Sequence, residues 1–220
     1  MPLSPVRIGL IVPSSNTVME PDFHRHLLDT AVVSTTRIFL EQVTREAELR
    51  MLADDLPRAA ELIRTTAPDA VVFGCTSAGS LDGLAHDARI GQTIKQATGA
   101  RTVTVLHAVM AELSRLGPKK VAVFTPYVED LTDSIARCVA DGGYSVVKAV
   151  GMGLRENLQI GKVTPDEIVS FVESRLAATD ADCLFLSCTN WRAVQTIEPL
   201  RRKFGMPVVS SNQAAIAAVQ

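Results

Sequence analysis

The sequence has no uninterrupted apolar run of the ~18 to 20 residues that a membrane-spanning helix needs. Its first residues form a strand-like run that ends at Pro13, and they lack the long apolar core and the small-residue cleavage site of a secretion signal. We therefore expect a cytoplasmic protein that has no membrane partner.

The sequence also lacks an excess of basic charge. Its 22 Lys and Arg residues are outnumbered by 24 Asp and Glu residues, which leaves a net charge of −2. The basic residues are scattered among acidic ones and do not gather into a patch, so we expect no nucleic-acid partner.

The spacings that mark metal and cofactor sites are absent as well. The four cysteines form no CxxC pair, and His24 and His26, two residues apart, face different sides of a helix with no acidic partner at ligand spacing. No GxxxxGK[ST] occurs, and Gly151-Met152-Gly153 lacks the third glycine of a dinucleotide loop. The sequence thus predicts no metal and no cofactor, and in a reducing compartment we expect free thiols.

Two similar stretches are present instead, VVFGCTSAGS at 71–80 and CLFLSCTNWR at 183–192. Cys75 and Cys188 are 113 residues apart, and other features recur at the same offset. Residues 7–14 fall on residues 120–127, with a basic residue first and a proline in the same place, and Asp69 falls on Asp182. This register predicts an internal duplication of one α/β unit.

The apolar runs of strand length are continuous and alternate with segments of helical period. Continuous runs are typical of parallel strands covered on both faces, so the fold class is α/β, with two pseudo-symmetric lobes that each hold a parallel sheet flanked by helices. The predicted strands are residues 6–12, 70–73, 102–106, 121–124, 145–150, 183–186 and 207–209.

The repeat also suggests where the lobes divide, because residues 102–110 resemble residues 207–215. We expect one lobe from residues 1–106 plus 207–220 and the other from residues 107–206. The sequence permits two contiguous halves equally well.

Both repeated cysteines stand just after a predicted strand, where a helix begins. Ligands of parallel α/β sheets bind at this edge, and a helix N-terminus favours anions such as thiolates and carboxylates. A cleft between the lobes would bring Cys75 and Cys188 to opposite sides of one site, whereas Cys138 and Cys183 fit core positions. A disulfide between Cys75 and Cys188 stays a lesser alternative. The hydroxyl and amide side chains predicted to face this site are Ser14, Ser15, Asn16, Thr17, Thr76, Ser77, Thr125, Tyr127, Thr189 and Asn190.

Paired strand-end cysteines in a duplicated lobe resemble the aspartate/glutamate racemase superfamily. Within it the chain resembles the maleate cis-trans isomerase family, with arylmalonate decarboxylases as close relatives. The motifs that carry this likeness are IGLIVPSSNTVMEPDF at 8–23, GCTSAGS at 74–80, TPYVEDL at 125–131, GLRENLQIGKV at 153–163 and LSCTNWR at 186–192.

The resemblance implies a cofactor-independent isomerase that converts maleate, or a similar unsaturated dicarboxylate, to its trans isomer. It implies Cys75 as the nucleophile and Cys188 as the acid/base thiol, with Asn16, Tyr127 and Asn157 on the substrate carboxylates. Decarboxylase relatives have glycine in place of Cys75, which argues against decarboxylation.

Other functions stay open at this point. The alternatives are a two-thiol racemase of the aspartate, glutamate or hydantoin type, an arylmalonate-decarboxylase-like enzyme of a catabolic pathway, and a non-catalytic carboxylate-binding protein. The only partner we expect is a small dicarboxylate, and a homo-oligomer is left open.

Overall fold

The chain folds into two parallel sheets of four strands each, as a computed structural model shows for residues 5–27, 29–177 and 179–220. The first sheet has the order β2-β1-β3-β4, and all three of its strand pairs are parallel. Its strands are β1 (Val6–Pro13), β2 (Ala31–Ile38), β3 (Ala70–Phe73) and β4 (Arg101–Thr104).

The second sheet repeats this topology, with the order β6-β5-β7-β8. Shifted by 113, the bounds of β3 become those of β7. The two sheets therefore share one strand order, and the predicted α/β class is confirmed. The internal duplication stays a prediction. The strands of this sheet are β5 (Lys120–Tyr127), β6 (Ser145–Leu154), β7 (Cys183–Leu186) and β8 (Val208–Ser210).

Helices flank both sheets. Thr44 and Thr164 act as N-caps, and Thr164 forms the full capping box with Glu167 that its sequence indicates. A π-helical segment, Met51–Asp55, joins the second and third helices. None of the helices in the described ranges is long and apolar enough to cross a membrane. The α-helices are α1 (Met19–His26), α2 (Arg45–Arg50), α3 (Leu56–Arg64), α4 (Thr76–Ser80), α5 (Gly83–Thr98), α6 (Val105–Leu116), α7 (Glu129–Asp141), α8 (Asn157–Lys162), α9 (Pro165–Leu176), α10 (Ile197–Phe204) and α11 (Ser211–Ala217).

The strand β2 is missing from the sequence-based prediction. It is the edge strand of its sheet, and most of its residues are only half-buried. It therefore carries a serine, two threonines and an arginine instead of a continuous apolar run. A search for fully buried parallel strands overlooks such an edge.

The predicted strand 102–106 was wrong at its end, because β4 stops at Thr104. The Thr104 hydroxyl accepts a hydrogen bond from the His107 N–H, so it caps α6, which begins at Val105. Apolar residues in the first turn of a buried helix look the same in sequence as the end of a strand.

The two halves of the chain meet through the C-terminal segment. Strand β8 pairs with β7 in the second sheet, although our division at residue 207 assigned these residues to the first lobe. The following helix α11 packs against α6 and α1. Strand β8 thus belongs to the second sheet, whereas the division of the chain into lobes at residues 106 and 207 stays a proposal.

Both faces of the first sheet are covered, as its apolar strands require. Leu10 belongs to a large core that extends through both halves of the chain, and its neighbour Ile11 belongs to a smaller core that includes residues of α3 and α5. Gly9 allows α3 to approach the sheet closely, because a Cβ at this position would lie 2.5 Å from Cγ1 of Ile63.

We predict that Gly9→Ala lowers the free energy of unfolding by about 1 to 3 kcal/mol, the usual cost of overpacking a core. Urea denaturation would measure the change. Ile63→Ala removes the clashing atoms, so the double variant should lose less stability than the sum of the two single variants. Additive losses would show that this contact does not set the helix position.

Candidate active site

Cys75 lies at the carboxyl end of β3 and is the N-cap residue of α4. The residue is only 5% exposed, and burial, with a further contribution from the charge of Glu48, raises the pKa of the Cys75 thiol well above its usual value. Desolvation thus outweighs the helix N-terminus, and the resting thiol holds its proton more tightly than we expected.

Cys188 occupies the equivalent place after β7. The backbone N–H of Asn190 donates to its sulfur at 3.2 Å. Burial raises the pKa of the Cys188 thiol to about 12, although a hydrogen bond from the Tyr127 hydroxyl works in the opposite direction. Tyr127 ends β5 and is itself buried, which raises its pKa well above the usual value. This half of the site therefore holds two protonated groups that can donate.

The structure brings Cys75, Cys188 and Tyr127 together. The negative charge of a Cys188 thiolate would raise the pKa of Cys75, and the charge of either thiolate would raise the pKa of Tyr127. The four cysteines of the chain are free thiols, so the disulfide alternative between Cys75 and Cys188 is not formed.

Glu48 on α2 is a member of the site that the sequence-based prediction missed. Its side chain is completely buried, and its Oε1 accepts hydrogen bonds from the Cys75 thiol, with a sulfur–oxygen distance of 3.8 Å, and from the Ser77 hydroxyl. Burial raises the pKa of the Glu48 carboxyl to about 8, despite these two hydrogen bonds. A signal was present, because Glu48 stands three residues before the buried Met51, on a helix face that packs inward.

Most other predicted site residues form hydrogen bonds between the two halves, in which Asn16, Asn157, Thr189 and Asn190 are buried, Ser15 is half-buried and Thr17 is exposed. Asn16 Nδ2 donates to Thr189 Oγ1 at 3.0 Å, and the Thr17 N–H donates to Asn190 Oδ1 at 2.8 Å. Asn190 Nδ2 donates in turn to the carbonyl oxygen of Asn157 at 2.6 Å, and Asn157 Nδ2 donates to Ser15 Oγ at 2.9 Å. These amides and hydroxyls connect the two halves of the chain.

Two further predicted residues bond to neighbouring backbone or side chains. Ser14 Oγ accepts from the Leu40 N–H at 3.1 Å, and Thr76 Oγ1 donates to Ser211 Oγ at 2.9 Å. Ser14 therefore supports the segment that follows β2, and Thr76 connects α4 with the C-terminal helix α11.

A backbone bridge closes the cleft above this network. The Val43 N–H donates to the carbonyl oxygen of Arg155 at 2.7 Å, and the Asn157 N–H donates to that of Glu41 at 2.9 Å. Between them, Gln42 and Glu156 form an antiparallel bridge. Both thiols are buried in this arrangement, with Cys75 5% and Cys188 3% exposed.

No cation neutralises the site. Ion pairs among the described residues involve none of its side chains. In residues 5–27, 29–177 and 179–220, no group of three His, Cys, Asp or Glu side chains is arranged to hold a metal ion. A bound anion would therefore depend on neutral hydroxyl, amide and backbone donors.

The comparison with known families agrees with this geometry. The family model for arylmalonate decarboxylase matches residues 8–220, which is nearly the whole chain. The chain belongs to the arylmalonate decarboxylase family. This membership and the similarity to maleate isomerases confirm the family resemblance predicted from the sequence motifs.

The chain is also similar to individual proteins of known activity or structure. The chain is 27% identical to the maleate isomerase of Geobacillus stearothermophilus, over 96% of this chain and 88% of the relative. It is also 27% identical to the arylmalonate decarboxylase of Bordetella bronchiseptica, over 94% and 86%. A Nocardia farcinica maleate cis-trans isomerase variant, solved with a covalently bound succinylcysteine intermediate, superposes with a TM-score of 0.91 at 22% identity, over 98% and 91%. This superposition confirms the fold.

The raised pKa of Glu48 predicts a pH-dependent cost to stability. A glutamate carboxyl has an ordinary pKa of 4.5, and in the folded protein the pKa of Glu48 is about 8. The protonated carboxyl is compatible with burial, so the free energy of unfolding is highest below pH 4.5. It falls as the pH rises toward 8, because the folded state then pays for ionising the buried group. In Glu48→Gln this loss is absent, and its free energy of unfolding should therefore fall less than that of the unaltered protein between pH 5 and pH 8. Urea denaturation at several pH values measures both curves.

The matched control is Glu46→Gln, which changes an exposed carboxyl on the same helix. Its curve should parallel that of the unaltered protein. Parallel curves for Glu48→Gln as well would mean that Glu48 does not keep its proton in the folded state.

Proposed function

We propose that this protein isomerises maleate, or a similar cis-unsaturated dicarboxylate, to the trans isomer without a cofactor. The observation that carries the proposal is the pair of buried thiols, Cys75 and Cys188, at equivalent strand ends of one closed site. Maleate isomerases among the relatives, one of which has been solved with a succinylcysteine intermediate, support the same chemistry.

In the proposed reaction the Cys75 thiol first gives up its proton to a base, and the resulting thiolate sulfur adds to one alkene carbon of the substrate. The π electrons move toward the other carbon, which takes the proton of the Cys188 thiol, so that a succinyl thioether forms on Cys75. Its central carbon–carbon bond is single and rotates. Cys188 then removes the proton, the carbon–sulfur bond breaks, and the trans isomer leaves.

The proposed substrate-binding residues are neutral donors. We assign this role to Ser14, Asn16, Thr76, Ser77, Tyr127, Asn157, Thr189 and Asn190. In the closed arrangement most of these side chains bond to one another or to backbone. Substrate carboxylates would therefore replace some of these bonds, which couples binding to movement of the two halves.

A two-thiol racemase is the second candidate, because two thiols on opposite sides of a cleft also suit removal and return of a proton at one carbon. The arylmalonate decarboxylase relative keeps a decarboxylase in view. We propose in addition that the protein works in the cytoplasm, which agrees with its four free thiols, on a small dicarboxylate and without a nucleic-acid partner.

Proton NMR of the protein with maleate tests the proposal. We expect the maleate signal to be replaced by that of fumarate, with activity retained after exhaustive chelation. Cys75→Ala and Cys188→Ala should each abolish conversion while melting like the unaltered protein, and Cys138→Ala, which alters a thiol outside the site, should remain active. Exchange of an α-proton of an amino or hydroxy acid, with no fumarate formed, would support the racemase instead.

We predict that Tyr127→Phe weakens catalysis by about 1.5 to 3 kcal/mol, the range for hydrogen bonds to charged groups. The hydroxyl lies beside Cys188 and is one of the buried donors that could reach a substrate carboxylate. Steady-state kinetics gives kcat/KM for the two proteins. Tyr144→Phe, at a residue outside the site, provides the control, and an unchanged kcat/KM in Tyr127→Phe would remove this residue from the assignment.

A further inference from the structure

We propose that Glu48 is the base that takes the proton of Cys75 when this thiol adds to the substrate. The inference deepens the proposed isomerisation and rests on it for the identity of the substrate. The contact between the two side chains is a property of the protein alone.

The position of Glu48 is unusual for a carboxyl group. It is completely buried, it takes part in no ion pair within the described residues, and its Oε2 is buried without a hydrogen-bond partner. Its Oε1 contacts the Cys75 sulfur at 3.8 Å. A buried acid without a compensating cation destabilises a fold, so a carboxyl in this position calls for an explanation other than stability.

The other groups around Cys75 do not offer an alternative base. The titratable groups whose charges raise the pKa of Cys75 are Glu48 and Cys188. Those whose charges raise the pKa of Tyr127 are Cys188, Cys75 and Glu48. Cys188 must keep its proton for the substrate, and Tyr127 is a donor with a raised pKa. Glu48 is the group left that can accept a proton from the Cys75 sulfur.

The proton inventory of the step is simple. In molecules in which Glu48 has released its own proton to solvent, a fraction that grows as the pH rises toward 8, the S–H proton moves to Glu48 Oε1. The freed electron pair on sulfur forms the carbon–sulfur bond, and the carboxylate becomes a neutral carboxyl group. Ser77 holds Oε1 toward the sulfur through its own hydrogen bond. When the adduct breaks, Cys75 leaves as a thiolate beside the neutral carboxyl, and the proton can return to sulfur.

Alkylation of Cys75 by iodoacetamide without substrate tests the shared proton. The rate at Cys75, followed by peptide mass mapping from pH 6 to pH 10, should rise and then level off near pH 8, where the pair has lost one proton. In Glu48→Gln the rate should keep rising for at least one further pH unit, because the sulfur alone must lose the proton. Glu46→Gln should behave like the unaltered protein.

Two results would overturn the proposal. One is a rate in the unaltered protein that does not level near pH 8, which needs no variant to be observed. The other is a Glu48→Gln rate that levels at a lower pH than in the unaltered protein, because Glu48 would then act on Cys75 only as a repelling charge.

Kinetics with maleate adds the catalytic test. Glu48→Gln should lower kcat at pH 7 by about 100-fold or more, the contribution typical of a positioned base, with KM changed less than about threefold. Glu46→Gln should keep the kcat of the unaltered protein. An unchanged kcat in Glu48→Gln would contradict the role of base, whereas levelling of the alkylation rate in a protein that never converts maleate would count against the proposed function alone.

Discussion

The site depends on burying two thiols and one carboxyl group that take part in no ion pair within the described parts of the chain. Loss of hydration favours the protonated form of each of them, and it is the largest cause of the raised pKa of Cys75, Glu48 and Cys188. The resting site therefore holds more protons than the same groups would hold in water. Such a site can supply a proton to a substrate and also take one away, provided that the protein separates the two tasks.

The duplicated fold supplies this separation. Each sheet places one cysteine after its third strand, so each half of the chain contributes one thiol to the site. The surroundings of the two thiols then differ, because Cys75 contacts the carboxyl of Glu48, an acceptor, and Cys188 lies beside the hydroxyl of Tyr127, a donor. The same backbone topology thus provides two thiols with different proton chemistry.

The polar network between the halves connects this chemistry to movement. Asn16 bonds to Thr189 and Asn157 to Ser15 across the cleft, and the bridge between Gln42 and Glu156 covers it. Under the proposed function, substrate carboxylates would replace some of these bonds, so binding would be coupled to movement of the two halves. A closed site of this kind also excludes water from the reacting atoms.

The sequence allowed the fold class and both strand-end cysteines to be predicted, because a buried parallel strand must be apolar throughout and a repeat preserves its register. The edge strand β2 escaped prediction since half-buried positions tolerate polar residues. Glu48 escaped as well. Helical spacing places it on an inward face, but its contact with Cys75 arises from the packing of α2 on α4, which no local pattern specifies. Ser14 and Asn16 were predicted to bind a substrate. In the structure they bond to Leu40 and Thr189 instead. Such partners depend on how distant segments pack, which residue types do not encode.

Acid quenching during turnover of maleate, followed by peptide mass mapping, tests the covalent role of Cys75 most directly. A fraction of the protein should be heavier by one whole substrate molecule, with this mass on the peptide that contains Cys75 and none on Cys188. The same mass on Cys188 would exchange the two roles. Complete conversion of maleate to fumarate with no adduct on either thiol, at several quench times, would contradict the mechanism.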